Sequence, residues 1–121
     1  MGAASKAPVR ALFICQFNRR RSATAERLFA RDPTLDVRSA GTSAEAAVRV
    51  NARMLDWADV VFVMEDQQAR DLARLFPAHP AISRLVCLEI RDRYHFLDPQ
   101  LVALLEERSL PHLNRLRGRE P

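Results

Sequence analysis

Ala11-Leu12-Phe13-Ile14-Cys15-Gln16-Phe17-Asn18-Arg19-Arg20-Arg21-Ser22-Ala23-Thr24-Ala25-Glu26-Arg27-Leu28-Phe29 is the stretch that decides the fold of this chain. Its first four residues are apolar and β-prone, and Ala25, Leu28 and Phe29 repeat at helical spacing, so a strand runs through a short loop into a helix. The backbone N–H groups of such a loop can point inward, and the following helix adds its positive N-terminal end to the same spot. An oxyanion held there would touch the sulfur of Cys15.

Further strands and helices flank that loop along the chain. Val9 to Ile14 and Asp59 to Met64 are continuous β-prone runs, as is Leu85 to Ile90 with Glu89 its only polar residue. Runs of this kind suit strands covered on both faces, hence a mostly parallel sheet. Leu35 to Ser39 alternates instead, as an edge strand does. Ala69, Leu72, Ala73 and Phe76 mark a helix stopped by Pro77. A helix carrying Met54, Leu55 and Trp57 precedes Asp59; Asn51 is the favoured start, with Thr42 the alternative because Glu45 stands at capping-box spacing from it. Asp98 as N-cap and Pro99 at the first helical position open a last amphipathic helix through Leu101, Val102, Leu104 and Leu105, which is expected to fray after Pro111. The fold class is therefore α/β: a small doubly wound three-layer domain with a four-stranded parallel sheet and a phosphate-binding loop after the first strand. Ligands of such a sheet sit at the C-terminal edge of its strands.

At 121 residues the chain fits one such domain, taken as 9–117, with residues 1–8 a disordered N-terminal tail and 118–121 a C-terminal one. Hydrophobic residues make up 48% and charged residues 28%, an ordinary balance for a soluble protein, and no apolar run approaches a membrane span. The first eight residues lack the apolar stretch of a secretory signal, and Lys6 stands where a myristoylation motif needs Ser or Thr. Only two cysteines occur, Cys15 and Cys87, so no disulfide framework is expected and the cytoplasm is the expected compartment. The net charge of +4 invites a nucleic-acid partner, but the arginines spread from Arg10 to Arg119 without forming a block, and none is expected. His79, His95 and His112 fit no metal-ligand spacing, so neither metal nor cofactor is implied.

The thiolate, not the thiol, is the nucleophile of cysteine chemistry. Inward N–H groups, the helix N-terminus, the Ser22 hydroxyl and the Arg21 guanidinium would all favour the anion, and the same donors would hold phosphoryl oxygens. Arg21 brings a planar fork that matches two equatorial oxygens of a phosphoryl group in its trigonal transition state, which Lys could not match. Asn18, in mid-loop, tolerates left-handed backbone angles and can brace the loop from inside. The plainer reading makes Cys15 a buried residue at a strand end and the arginines a solvated turn. Strand, Cys, loop, Arg-Ser and helix in succession weigh against it.

Cys15, Asn18, Arg21 and Ser22, together with Ser39-Ala40-Gly41-Thr42 and Asp59 to Glu65, resemble the low-molecular-weight protein tyrosine phosphatase family, and especially a short bacterial branch of it. The resemblance spans residues 9 to 108. It implies that Cys15 attacks phosphorus to form a cysteinyl-phosphate, that Gln16 to Arg21 bind the phosphoryl group, and that Ser22 assists the departing thiolate. It implies a phosphorylated protein or small aryl phosphate as substrate, with inorganic phosphate or sulfate held in the loop. Phe17 stands where the family usually has Gly, Arg20 where many members carry a second Cys, and the stretch from Gly41 to Asp59 is short.

Phosphate-ester cleavage also needs a proton for the leaving oxygen and a base for the attacking water, and one carboxyl can serve both. Asp92 lies just past the Leu85 to Ile90 run, and Ile90-Arg91-Asp92-Arg93-Tyr94 parallels the family's Val-Pro-Asp-Pro-Tyr; it is the first choice, with Tyr94 a candidate wall of the cleft. Asp98, before Pro99, is the alternate, although an N-cap explains it without catalysis. Two other readings stay open: a phosphate or phosphoprotein binding module with little turnover, and an arsenate-reductase-like enzyme, which would need a relay of thiols.

Overall fold

A computed structural model describes residues 7–118. The elements run β1 (Val9–Cys15), α1 (Arg21–Phe29), β2 (Leu35–Gly41), α2 (Ala52–Trp57), β3 (Val60–Val63), α3 (Asp66–Leu75), β4 (Val86–Cys87) and α4 (Pro99–Leu116), with a 3-10 turn at Pro80–Arg84. The four strands form one parallel sheet in the order β2-β1-β3-β4. β1 therefore lies between the strand that follows it and the strand after that, at the point where the strand order reverses. The crevice outside the C-terminal end of such a strand is where open α/β sheets take their ligands, and Cys15 is the last residue of β1.

Strand periodicity sorts the core into two layers. Val9, Ala11, Phe13 and Cys15 face a cluster closed by Phe29 of α1 and Leu101, Leu105 and Leu113 of α4. Leu12 and Ile14 face the other cluster, closed by Leu55 of α2 and Leu72 of α3. Phe13 anchors the first layer, stacked on Phe62 at 4.8 Å and on Phe29 at 5.9 Å between ring centroids. Asn51 caps α2 by accepting from Met54 N at 2.9 Å, so that helix starts there and not at Thr42.

Two expectations are corrected. The strand expected over Leu85 to Ile90 is regular only at Val86–Cys87, because Glu89 turns into the left-handed region at φ 56° and breaks the pleat. Hydrogen bonds from Leu88 N to the Val63 carbonyl and from Ile90 N to the Met64 carbonyl, both 2.8 Å, nonetheless keep this segment on the sheet. The last helix runs through Pro111 to Leu116 instead of fraying there. Leu113 is fully buried, and just past the helix Arg117 donates to Asp32 Oδ2 at 2.9 Å and to Thr34 Oγ1 at 2.8 Å. That burial and that clip outweigh the one helical hydrogen bond a proline removes. Burial works against the Asp32 carboxylate, but Thr34 and Arg117 overcome it and hold its pKa below the usual value. Residues 1–6 of the expected N-terminal tail and 119–121 of the C-terminal one lie outside the described residues.

Candidate active site

The loop after β1 curls around the sulfur of Cys15. Asn18 adopts the left-handed conformation expected of it, φ 56°, which turns its N–H inward to donate to Cys15 Sγ at 3.2 Å. The Asn18 side-chain amide donates to Ser22 Oγ and to Ser39 Oγ, each at 2.9 Å. Ser39 in turn donates to Glu26 Oε1. Ser22 Oγ accepts from Asn18 and lies 2.9 Å from Cys15 Sγ and 3.3 Å from the Ala40 carbonyl, to which it can donate. The Asn18 N–H and the Ser22 hydroxyl therefore both meet one buried sulfur, and toward a sulfur without a proton the hydroxyl can only donate.

Arg21, the first residue of α1, is 2% exposed. Its Nη1 donates to Glu65 Oε1 at 2.6 Å and to the Ile90 carbonyl at 2.8 Å, and its Nε faces Asp92 Oδ1 at 3.8 Å. Glu65 sits between β3 and α3, where its N–H donates to Gln68 Oε1 at 2.7 Å in a capping box. Ile90 is the residue held by Met64 on the sheet. Arg21 is thus oriented from two strand ends at once, and Asp92 follows from the second of them. The segment carrying Asp92 is tied back to α1 by the N–H of Leu97 donating to Thr24 Oγ1 at 3.0 Å. Cys15, Phe17, Arg19, Arg20, Arg21 and Asp92 line one cleft of about 210 Å³.

The other expected site residues fall elsewhere. Asp98 caps α4, accepting from Gln100 N at 2.8 Å, as its sequence setting suggested. Tyr94 packs half-buried against the first core layer with the Arg93 guanidinium over its ring, and it is not among the residues lining the cleft. Gln16 is exposed and borders a separate groove with Thr42, Ser43 and Asp71. Cys87 also lies away from Cys15, beside Asp66 and Glu89. Burial, together with those two carboxylates, pushes its thiol above the ordinary value, although a hydrogen bond from the Glu89 backbone works the other way. Among the described residues no group of histidine, cysteine and carboxylate side chains is placed to hold a metal ion. None of the described helices is long and apolar enough to cross a membrane.

Four contributors were not recognised from sequence: Glu65, Glu26, the side chain of Ser39 and the backbone of Gly41. Gly41 ends β2 opposite Cys15, and a Cβ there would lie 2.5 Å from the Gln16 carbonyl oxygen and 2.6 Å from Ala46 Cβ. The residues after it lace onto the loop: Thr42 N donates to the Cys15 carbonyl at 3.0 Å, Ser43 N to Gln16 at 3.0 Å, and Ala47 N to Phe17 at 3.1 Å. A methyl group at position 41 would push these two strips of backbone apart. Gly41→Ala is accordingly expected to cost about 2 kcal/mol, a fall in Tm of roughly 10 °C for a domain of this size. Thermal unfolding followed by circular dichroism checks this, and an unchanged Tm would show that the strips separate without cost.

Similarity to known proteins lies in structure, since no protein-family profile and no curated protein sequence matches the chain. SP-PTP, a low molecular weight protein tyrosine phosphatase from Streptococcus pyogenes, superposes with a TM-score of 0.72 over 89% of this chain and 93% of its own at 15% identity. The fold is that of the low-molecular-weight tyrosine phosphatases. The tyrosine phosphatase Wzb from Escherichia coli K30, solved in complex with sulphate, gives a TM-score of 0.71 at 22% identity, covering 88% of this chain and 97% of that one. The YwlE arginine phosphatase from Geobacillus stearothermophilus gives 0.68 at 22% identity, covering 92% and 94%. Within this phosphatase fold, Cys15 and its loop occupy the C-terminal end of the first strand.

Proposed function

We propose that residues 9–117 form a cysteine-dependent phosphomonoester hydrolase of the low-molecular-weight tyrosine phosphatase type, acting on aryl phosphates such as phosphotyrosine. The observation that carries this reading is the meeting of Asn18 N and Ser22 Oγ on Cys15 Sγ, in a cleft whose other walls are Arg21 and Asp92. In the first step the Cys15 thiolate forms an S–P bond while the P–O bond to the leaving phenol breaks, and Asp92 gives that oxygen a proton. In the second, water attacks phosphorus, Asp92 takes a proton from it, and the S–P bond breaks. Ser22 then donates its hydroxyl proton in a hydrogen bond to the returning thiolate, and inorganic phosphate leaves. Arg21 holds the equatorial oxygens throughout.

Proteins of this fold include tyrosine and arginine phosphatases, and the rim of this cleft favours the aryl ester. Phe17, 37% exposed, lines the cleft where an aromatic leaving group can pack against it, while Arg19 and Arg20 would repel a guanidinium. Solved proteins of this fold that hold phosphate, sulphate or benzylphosphonate support binding of the same kind of anion here. Arsenate reduction draws no support, because Cys87 lines a different groove from Cys15.

The deciding experiment pairs intermediate trapping with the general acid. Acid quench during turnover of p-nitrophenyl phosphate is expected to leave one phosphoryl group on the peptide containing Cys15, detected by mass spectrometry. Asp92→Asn should slow alkyl phosphates by about 10²–10⁴-fold and aryl phosphates less, because poor leaving groups depend more on the proton. Turnover without a trapped phosphoryl group would remove the covalent mechanism. Leaving-group dependence confined to Asp98→Asn would move the acid to that residue.

A further inference from the structure

We infer that Arg19 and Arg20 read a second negative charge on the substrate, so that the preferred substrates are phosphorylated segments of acidic polypeptide. This rests on the phosphatase reading above and adds a substrate class to it. Both arginines line the cleft beside Cys15, both are exposed, and among the described residues neither enters an ion pair.

The acidic groups that meet Arg21 or the hydrogen-bond chain of the loop are already engaged. Glu65 holds Arg21 at 2.6 Å, Asp92 faces the same guanidinium at 3.8 Å, and Glu26 accepts from Ser39. Arg21 therefore approaches a phosphoryl group with part of its charge already balanced by the Glu65 carboxylate. The uncompensated positive charge of the cleft belongs to Arg19 and Arg20. They stand on the rim and not at the floor, where they meet whatever adjoins the phosphoryl group.

The shape of the rim selects a polypeptide over a small molecule. Phe17, Arg19, Arg20 and Asp92 are all exposed, so the cleft opens onto the surface. An extended chain that delivers an aryl phosphate to Cys15 must cross this rim with its neighbouring side chains beside the two guanidinium groups. Acidic neighbours gain from each of them, and basic neighbours lose.

Three phosphotyrosine peptides of equal length, with acidic, neutral or basic residues flanking the phosphotyrosine, provide the test, with p-nitrophenyl phosphate as reference. At low ionic strength the wild-type protein should favour the acidic over the neutral peptide by about tenfold in kcat/KM, mostly through KM, as two exposed pairs of ordinary strength would give. Added salt should shrink the ratio. The ratio should fall below about twofold in the Arg19→Gln/Arg20→Gln double variant and return in Arg19→Lys/Arg20→Lys, since rim attraction needs charge and not the guanidinium fork. Reading a ratio within each variant keeps any change in overall rate out of the comparison. Equal rates on the three peptides, a ratio unaltered in the Gln variant, failure of the Lys pair to restore it, or faster turnover of a mononucleotide than of the acidic peptide would each overturn the inference while leaving the phosphatase reading in place. Absence of hydrolysis even of p-nitrophenyl phosphate would remove both.

Discussion

Cys15→Ser is expected to release no measurable p-nitrophenol from p-nitrophenyl phosphate, a loss of at least about 10⁴-fold in kcat. Geometry sets this before chemistry does. The sulfur is 3% exposed, accepts from Asn18 N at 3.2 Å and lies 2.9 Å from Ser22 Oγ. A serine hydroxyl in the same place is a far weaker nucleophile, because it must lose a proton that the site offers no base to take. The variant should keep its fold, since the two side chains are close in size and Cys15 forms no disulfide. Near-UV circular dichroism would verify that. A Cys15→Ser protein with the wild-type rate would end the covalent mechanism.

The second large effect is expected at Arg21. Arg21→Lys keeps the positive charge and loses the fork, so it separates charge from geometry. In the native site the guanidinium spans Glu65, the Ile90 carbonyl and the approach to Asp92, and it lines the cleft from a position fixed by both strand ends. An ammonium group can pair with Glu65 or reach a phosphoryl oxygen, but it cannot bridge several oxygens in one plane. A fall in kcat of roughly 10²–10³-fold is expected, the scale of losing an oriented transition-state donor. Steady-state kinetics on p-nitrophenyl phosphate measures it. Retention of more than about a third of the wild-type kcat would mean that Arg21 orients Glu65 and leaves the phosphoryl group to others.

The β1–loop–α1 unit was legible in sequence because its signals are local. Periodicity places the strand and helix, and Cys15, Asn18 and Arg21 carry distinctive side chains at fixed spacing. Asp92, chosen from the rule that ligands gather where parallel strands end and from its parallel with the family's Val-Pro-Asp-Pro-Tyr, lines the cleft with Cys15. Glu65 was not found, although it ends a strand at the same edge, because its partner Arg21 lies 44 residues away and nothing local marks the pairing. The same holds for Ser39, bound to Asn18 across 21 residues. The early end of β4 was hidden because Glu89 has no sequence feature that demands a positive φ. The helix past Pro111 was hidden because its support, the burial of Leu113 and the Arg117–Asp32 clip, is tertiary. Local preference bends to such contacts when they bury enough surface or pair enough charge.

On the proposed chemistry, the lacing of Thr42, Ser43 and Ala47 onto the carbonyls of Cys15, Gln16 and Phe17 would govern how turnover ends. Because the protein orders this loop by itself, an arriving anion need not order the chain, and less of its contact energy is lost on binding. That holds for the departing anion too. On the proposed chemistry, free inorganic phosphate meets the same preassembled donors as the substrate, so product and substrate compete on nearly equal terms. The rate of such a protein would then track the phosphate concentration around it as well as the supply of phosphorylated chains.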